Sequence, residues 1–207
     1  MPKVGEKYRQ NRRIKILNAA RHVFITRGYN NATMQDVIDE SGMSRGGVYA
    51  YFNNIEHVFI ELLKFDDAKD SKVFIDIVEG VSLWSQFIEF LQSYQAEIKA
   101  ARNSLVRVKS EFFLQEEPTK NEESTHYMTQ RYINLKKAIE GFINKGQVQG
   151  DFSPTHTPEK IALYMISFLD GLTINSFCIG ADIIDVDEQI VVLTYSLQAL
   201  LNPKSEK

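Results

Sequence analysis

The chain has 207 residues and a formal net charge of −3, a length that suits one or two domains with a sizeable core. Its single cysteine, Cys178, excludes an internal disulfide framework and fits a reducing compartment; set in an apolar helical run, it reads as a buried structural thiol. No apolar core follows the first basic residues, and no uninterrupted apolar run approaches the roughly 18–20 residues of a membrane helix, so neither a signal peptide nor a membrane span is expected. The expectation is a soluble, cytoplasmic protein.

The charge is unevenly spread. Residues 1–52 carry nine Lys/Arg against four Asp/Glu, and residues 53–207 carry fifteen against twenty-three, so −3 divides into +5 and −8. A basic front on an acidic remainder is the footprint of a polyanion-binding head with a separate regulatory part.

In chain order, residues 1–11 hold Lys3, Lys7 and Arg9 without apolar periodicity. They read as a flexible basic arm reaching a DNA backbone, or simply as a disordered terminus. From Arg12, the positions Ile16, Ala19, Ala20, Val23 and Phe24 recur at helical spacing, and Arg27-Gly28 closes this first helix, with Tyr29 sealing its core.

The next stretch, Thr33 to Phe52, reads T-M-Q-D-V-I-D-E-S-G-M-S-R-G-G-V-Y-A-Y-F. Thr33 with Asp36 is a helix-start signature, and Met34, Val37 and Ile38 mark an apolar face. Gly42 ends that helix and Ser44 caps another at once, leaving Gly42 and Met43 as the turn. Two short helices about a tight glycine turn form a helix-turn-helix, whose second helix enters the major groove N-terminus first. Val48 and Phe52 point inward; Arg45, Tyr49 and the glycine surface of Gly46 and Gly47 face out.

This run resembles the DNA-binding domain of TetR-type transcriptional regulators, over about Ile14 to Leu63. The resemblance implies DNA contacts from Thr33, Met34, Ser44, Arg45, Gly46, Gly47, Tyr49 and Tyr51. Thr33, Ser44, Tyr49 and Tyr51 match phosphate-contacting positions, while Arg45 is placed to grip a base or a phosphate. There are two departures. Gly47 stands where the family often has Thr or Ala, and Ile55 where a Lys usually reaches a phosphate.

Beyond the head, Asn54 can cap a fourth helix striped by Ile55, Val58, Phe59, Leu62 and Leu63. Further helices follow from the stripes Trp84–Phe87–Ile88–Leu91–Tyr94–Ile98, then Leu105–Val108–Phe112–Phe113, ending near Glu116-Glu117-Pro118. Thr119 to Thr125 is polar and reads as exposed. Met128, Tyr132, Leu135, Ile139 and Phe142 mark a long helix ending at Gly146. Thr157-Pro158-Glu159 starts another, through Ile161, Tyr164, Met165, Phe168 and Leu172. Asp185 with Glu188 starts the last, carrying Ile190, Leu193, Leu197 and Leu200 and stopped by Pro203. No strand alternation appears. The fold class is all-α, with a helix-turn-helix domain at 1–53 (arm 1–11) and a larger helical domain at 54–207, which the resemblance implies is the ligand-binding and dimerisation domain.

The segments F-I-N-K-G-Q-V-Q-G-D-F at 142–152, T-P-E-K-I-A from 157 and F-L-D-G-L ending at 172 are similar to late helices of the same family. That resemblance implies a repressor, acting as a homodimer on a palindromic double-stranded DNA operator, released by a small apolar or amphipathic effector through the fourth helix. The candidate pocket residues are Phe59, Leu62, Trp84, Phe87, Tyr94, Glu111, Phe112, Tyr132, Phe168 and Asp170. Glu111 and Asp170, read as buried carboxylates among aromatics, would suit a cationic lipophilic ligand. The last two helices carry more apolar surface than one core needs, with Ile161, Met165, Leu172, Leu193, Leu197 and Leu200 as interface candidates. Two alternatives stand beside this. Asp66, Asp67 and Asp70 have the D-D-x-x-D spacing of all-α magnesium-dependent prenyl-diphosphate enzymes, and an architectural DNA-binding protein needs no ligand. His22, His57, His126 and His156 are dispersed, and no nucleotide or hydrolase motif occurs, so no cofactor or metal is expected.

Overall fold

The computed structural model describes residues 2–70, 74, 78, 80–100, 104–114 and 122–204, without the side chains of residues 2–4, 68–70 and 123. Among these residues the helices are α1 (Pro2–Arg27), α2 (Met34–Ser41), α3 (Arg45–Tyr49), α4 (Ile55–Asp70), α5 (Leu83–Lys99), α6 (Leu105–Phe113), α7 (Glu122–Gln149), α8 (Pro158–Cys178) and α9 (Val186–Leu201). The only β element among them is an isolated bridge between Phe152 and Pro203.

The chain packs as two compact units. One comprises Met1–Asp67 with Asn103–Ser124; the other comprises Ala68–Arg102 with Thr125–Lys207. The packing boundary therefore differs from the 53/54 division: most of α4, and α6 from far along the chain, belong with the head. The burial pattern explains why. Val58, Phe59, Ile60, Leu62 and Leu63 of α4 are fully buried, as are Ile16, Leu17, Ala20 and Phe24 of α1, and such surface cannot be left in water at about 25 cal/mol per Å².

Within the first unit, Phe24, Tyr29, Phe59 and Phe112 form one aromatic cluster, with ring centroids 4.7 Å apart for Phe24–Phe59 and 5.0 Å for Tyr29–Phe112. Gly28 turns the chain at φ +77°, where a Cβ would stand 2.8 Å from a Glu111 carboxylate oxygen. That carboxylate accepts the Tyr29 backbone N–H at 2.7 Å, and Arg107 donates to the Ile25 carbonyl at 2.7 Å. So α6 clasps the end of α1 and satisfies groups its last turn leaves open. Ion pairs Arg13–Glu61 and Arg21–Asp66 bind α1 to α4.

The N-terminal segment is helical rather than a flexible arm. α1 begins at Pro2, and in its polar part Arg12 donates to the Tyr8 hydroxyl one turn earlier, at 2.9 Å, the kind of pair that supports a helix. The polar tract also differs from expectation at Ser124, which is buried and donates to Glu56. The expected helix end near Glu116–Pro118 lies outside the described residues.

In the second unit α5, α7, α8 and α9 share a core that includes Phe87, Leu91, Ile98, Ile139, Phe142, Ile161, Met165, Leu193 and Leu197. Lys136 pairs with Glu159 at 2.8 Å across α7 and α8, and Lys99 with Asp187 at 2.8 Å across α5 and α9. Asp185, at φ +52°, caps α9 by accepting the Glu188 N–H. Asn202 ends that helix in the left-handed region, one residue before Pro203. The segment after α7 is tied to the residues after α9 by Ser153 N–H to the Leu201 carbonyl (3.0 Å) and Lys204 N–H to the Asp151 carbonyl (2.9 Å).

Gly146 does not end α7, as its position in the sequence suggested. The helix continues to Gln149 and ends before Gly150, which is left-handed. Gly146 is glycine for a different reason: a Cβ there would sit 2.1 Å from a carbon of the buried Phe152 ring. Gly146→Ala is therefore expected to destabilise the protein by about 1–3 kcal/mol or more, the usual range for overpacking. Denaturant unfolding checks this, and Phe152→Leu in the same chain should recover part of the loss.

Candidate nucleic-acid interface

The eight residues expected to meet DNA lie on α2, α3 and their flanks, and local chemistry sets their positions. Thr33 and Asp36 form a reciprocal capping box: the Asp36 N–H donates to Thr33 Oγ1 at 3.2 Å and the Thr33 N–H to Asp36 Oδ2 at 3.0 Å. Arg27 adds an ion pair to Asp36 at 3.1 Å, fastening α2 to the end of α1. The Thr33 hydroxyl donates to the Asp36 carboxylate and, with the Arg27 charge, holds its carboxyl below the usual range. Gly42 closes α2 at φ 63°, and Ser44 starts α3 by accepting the Gly47 N–H at 3.2 Å.

Val48 and Phe52 are buried, as expected, and anchor the inner face of the second helix. Outside it, Thr33, Ser44, Arg45, Gly46 and Tyr49 are exposed, while Met34, Gly47 and Tyr51 are half-buried. The Arg45 guanidinium carbon lies 5.5 Å from the centre of the Tyr49 ring, a cation–π contact that limits where this charge can move. A Cβ at Gly46 would meet nothing within 4 Å, so that side of α3 is open for close approach. The arrangement can present one oriented guanidinium, two tyrosine hydroxyls and a bare backbone surface to a duplex.

The residues expected to line a ligand pocket fall into two groups. Phe59, Leu62, Glu111 and Phe112 belong to the first unit; Trp84, Phe87, Tyr94, Tyr132, Phe168 and Asp170 belong to the second. Phe59, Leu62, Phe87 and Phe112 are buried core. Glu111 is engaged by the Tyr29 N–H and by Arg107 at 3.7 Å, so it is not a free carboxylate facing a ligand. Asp170 and Tyr132 are exposed, since their positions fall off the buried stripes of α8 and α7. Trp84, Tyr94 and Phe168 are half-buried against the second core. The Tyr94 hydroxyl meets Thr173 Oγ1 at 2.8 Å, and burial pushes its pKa up to about 12. A small open pocket is lined by Lys99, Ala181, Asp182, Asp185, Val186 and Asp187, none of them anticipated.

The interface candidates require a correction. Ile161, Met165, Leu172, Leu193 and Leu197 are buried within this chain, and Leu200 is packed partly against the same core. Such side chains are unavailable to a partner. A second stripe is exposed instead: Leu163 and Tyr164 on α8, and Val191, Val192 (58%) and Tyr195 (68%) on α9. Cys178, expected to be buried, is exposed and shares a helical face with Leu163, Tyr164 and Ser167 at 3.6-residue periodicity. The double stripe gives α8 enough apolar character that, by length and composition alone, it is the one described helix able to cross a membrane, although Asp170 interrupts its apolar run. Its burial in the second core accounts for one of the two apolar faces. A wheel separating two stripes per helix would have found the exposed residues.

The carboxylates of the magnesium alternative are not held open together. Asp66 is buried and paired with Arg21, and the side chain of Asp70 lies outside the described residues.

Residues 16–62 match the family model described as bacterial regulatory proteins, tetR family, and residues 86–187 match that of the tetracyclin repressor-like C-terminal domain. The chain belongs to the TetR family of helix-turn-helix transcriptional regulators. It is similar to the uncharacterized HTH-type transcriptional regulator YfiR of Bacillus subtilis, at 29% identity over 185 residues and 89% of each chain. Its fold is similar to that of Salmonella enterica GusR, with a TM-score of 0.73 at 21% identity over 93% of this chain and 96% of that one. A SmeT–triclosan complex gives a TM-score of 0.69 at 14% identity, over 90% and 91% of the two chains.

Removing the cap tests how far the interface depends on it. Thr33→Ala should cost about 1 kcal/mol of stability. Because the Asp36 carboxyl is held low in the folded head, its contribution is present above the ordinary carboxylate pKa and is lost as pH falls through the lowered value. Melting curves from about pH 6 down to about pH 2 should show Asp36→Asn less stable at the upper end and less sensitive to acid than the natural chain.

Proposed function

We propose that this protein is a homodimeric repressor that binds a palindromic operator and leaves it when a small apolar or amphipathic effector is bound. The observation that carries the proposal is the capped α2–turn–α3 unit, which turns Arg45, Gly46 and Tyr49 outward on a buried Val48–Phe52 base. DNA contact is assigned to residues within 1–53, and effector binding and dimerisation to 54–207. The site of action of such a regulator is the cytoplasm.

Arg45 reads a base edge, and Thr33, Met34, Ser44, Gly46, Gly47, Tyr49 and Tyr51 approach the backbone and groove wall. One small head gives weak affinity, and a two-fold pair engages half-sites roughly 34–36 Å apart. The exposed stripe of Leu163, Tyr164, Val191, Val192 and Tyr195 supports dimerisation through α8 and α9. Support for an effector comes from the match of residues 86–187 to a tetracyclin repressor-like domain and from the triclosan complex of SmeT. Trp84, Tyr94 and Phe168, half-buried in the second unit, are the aromatic groups assigned to that effector. The effector regulates by binding one conformation better than another, and about 1–3 kcal/mol of coupling changes operator affinity roughly 5- to 150-fold.

Selection of genomic fragments by the purified protein, followed by gel-shift titration over salt, tests the DNA reading. Arg45→Ala should relax base preference at one position of each half-site, whereas Tyr51→Phe should weaken binding to all sequences alike. Unchanged operator affinity in both variants would remove the recognition-helix assignment. For the dimer, Val192→Glu with Tyr195→Glu is expected to yield a folded monomer in sedimentation. A persistent dimer would place the interface elsewhere.

A further inference from the structure

Six arginines of the head divide into two kinds. Arg13, Arg21, Arg27 and Arg107 each pair with a carboxylate, on Glu61, Asp66, Asp36 and Glu111 respectively. Arg12 and Arg45 have no carboxylate partner among the described residues; each is held instead by a tyrosine one helical turn away. Arg12 Nη1 donates to the Tyr8 hydroxyl at 2.9 Å, and its guanidinium carbon lies 5.5 Å from the Tyr8 ring centre. Arg45 has the same distance to Tyr49. A guanidinium paired with a carboxylate is neutralised, whereas one bound only by a tyrosine keeps its charge and loses much of its rotamer freedom.

Arg12 also stands beside the recognition helix. A Cβ built on Gly47 would lie 3.5 Å from Arg12 Nη2 and 3.1 Å from Ser44 Oγ. The first turn of α3 has no side chain at residue 47, and the space beside it is shared by the Ser44 hydroxyl, the Met43 methyl at 3.4 Å and the Arg12 guanidinium. Tyr8 is 59% exposed and Arg12 half-buried, and the neighbouring α3 residues Ser44 and Arg45 are exposed.

We propose that Arg12, oriented by Tyr8, is a DNA-phosphate contact delivered from α1 to the flank of the recognition helix, complementing the bare backbone at Gly47. The contact is to phosphate because α1 lies next to α3 rather than within it, and the helices flanking a recognition helix cross the duplex backbone. Five N–H donors in a planar fork suit a phosphate bidentately. The proposal rests on α3 being the groove-entering helix.

The test uses the full-length protein, the most enriched duplex from the genomic selection and a mixed-sequence duplex, titrated over a range of salt. Arg12→Ala should bind both duplexes on the order of 10-fold more weakly, with the slope of log affinity against log salt shallower by about one. Tyr8→Phe, which keeps the charge and the ring but removes the hydroxyl that Arg12 donates to, should lose about 2- to 3-fold with an unchanged slope. Arg12→Lys should retain the slope and recover part of the affinity. Melting temperatures of all three variants are measured alongside, because a purely structural role would lower them and leave the salt slope alone. Natural affinity and slope in Arg12→Ala, with Arg45→Ala impaired, would overturn the contact while leaving the recognition helix in place. Loss confined to particular base pairs, with an unchanged slope, would overturn the phosphate assignment. If the natural protein prefers no duplex and Arg45→Ala is equally silent, the underlying DNA reading fails with it.

Discussion

The head depends on one knot of aromatic rings. Phe24, Tyr29, Phe59 and Phe112 meet with centroids about 5 Å apart, at separations where aromatic pairs add to simple burial. Each ring arrives from a different local context: the end of α1, the turn after Gly28, the second turn of α4 and the end of α6. The turn at Gly28 is possible only because the residue is left-handed and lacks a Cβ that would crowd Glu111. With this knot formed, α1 presents a fixed surface on which α2 and α3 rest, and the outward set of Arg45 follows from the burial of Val48 and Phe52.

Charge use in the head is equally economical. Pairing with Glu61, Asp66, Asp36 and Glu111 makes four arginines structural; because the partners of Arg13 and Arg21 lie beyond residue 52, the basic excess of the first 52 residues overstates the charge available to a polyanion. It also explains Asp66. An acidic run that looks like a metal ligand set in one dimension includes, in three, the counter-ion of Arg21.

What the sequence made legible follows from the range of the interactions concerned. The capping box at Thr33, the Gly42 turn, the Ser44 cap and the Asn54 and Asp185 starts are governed by atoms within four residues, so residue type and spacing suffice. The all-α class followed from periodicity in the same way. Features set by distant partners were not legible. Gly146 resembles a helix stop, yet it is dictated by Phe152 lying on the helix. Glu111 resembled a pocket carboxylate, yet it serves the turn at Tyr29, 82 residues away in sequence. On α8 and α9 two apolar stripes coexist, and composition cannot say which one the chain keeps for itself. That ambiguity assigned Leu193 and Leu197 to a partner and Cys178 to the interior, the reverse of the burial found.

The clasp of α6 on α1 constrains how the head can be passed on. A compact DNA-reading unit assembled from Met1–Asp67 and Asn103–Ser124 is not a contiguous cassette, because 68–102 is an excursion between its two pieces. Recombination that grafts only the first piece onto a foreign regulator would strand Tyr29 and Phe59 without Phe112, and the Tyr29 N–H without Glu111. Inheritance of such a head therefore carries a later segment with it. Drift in 103–124 is constrained by the DNA-binding half of the protein as well as by whatever ligand the rest of the chain serves.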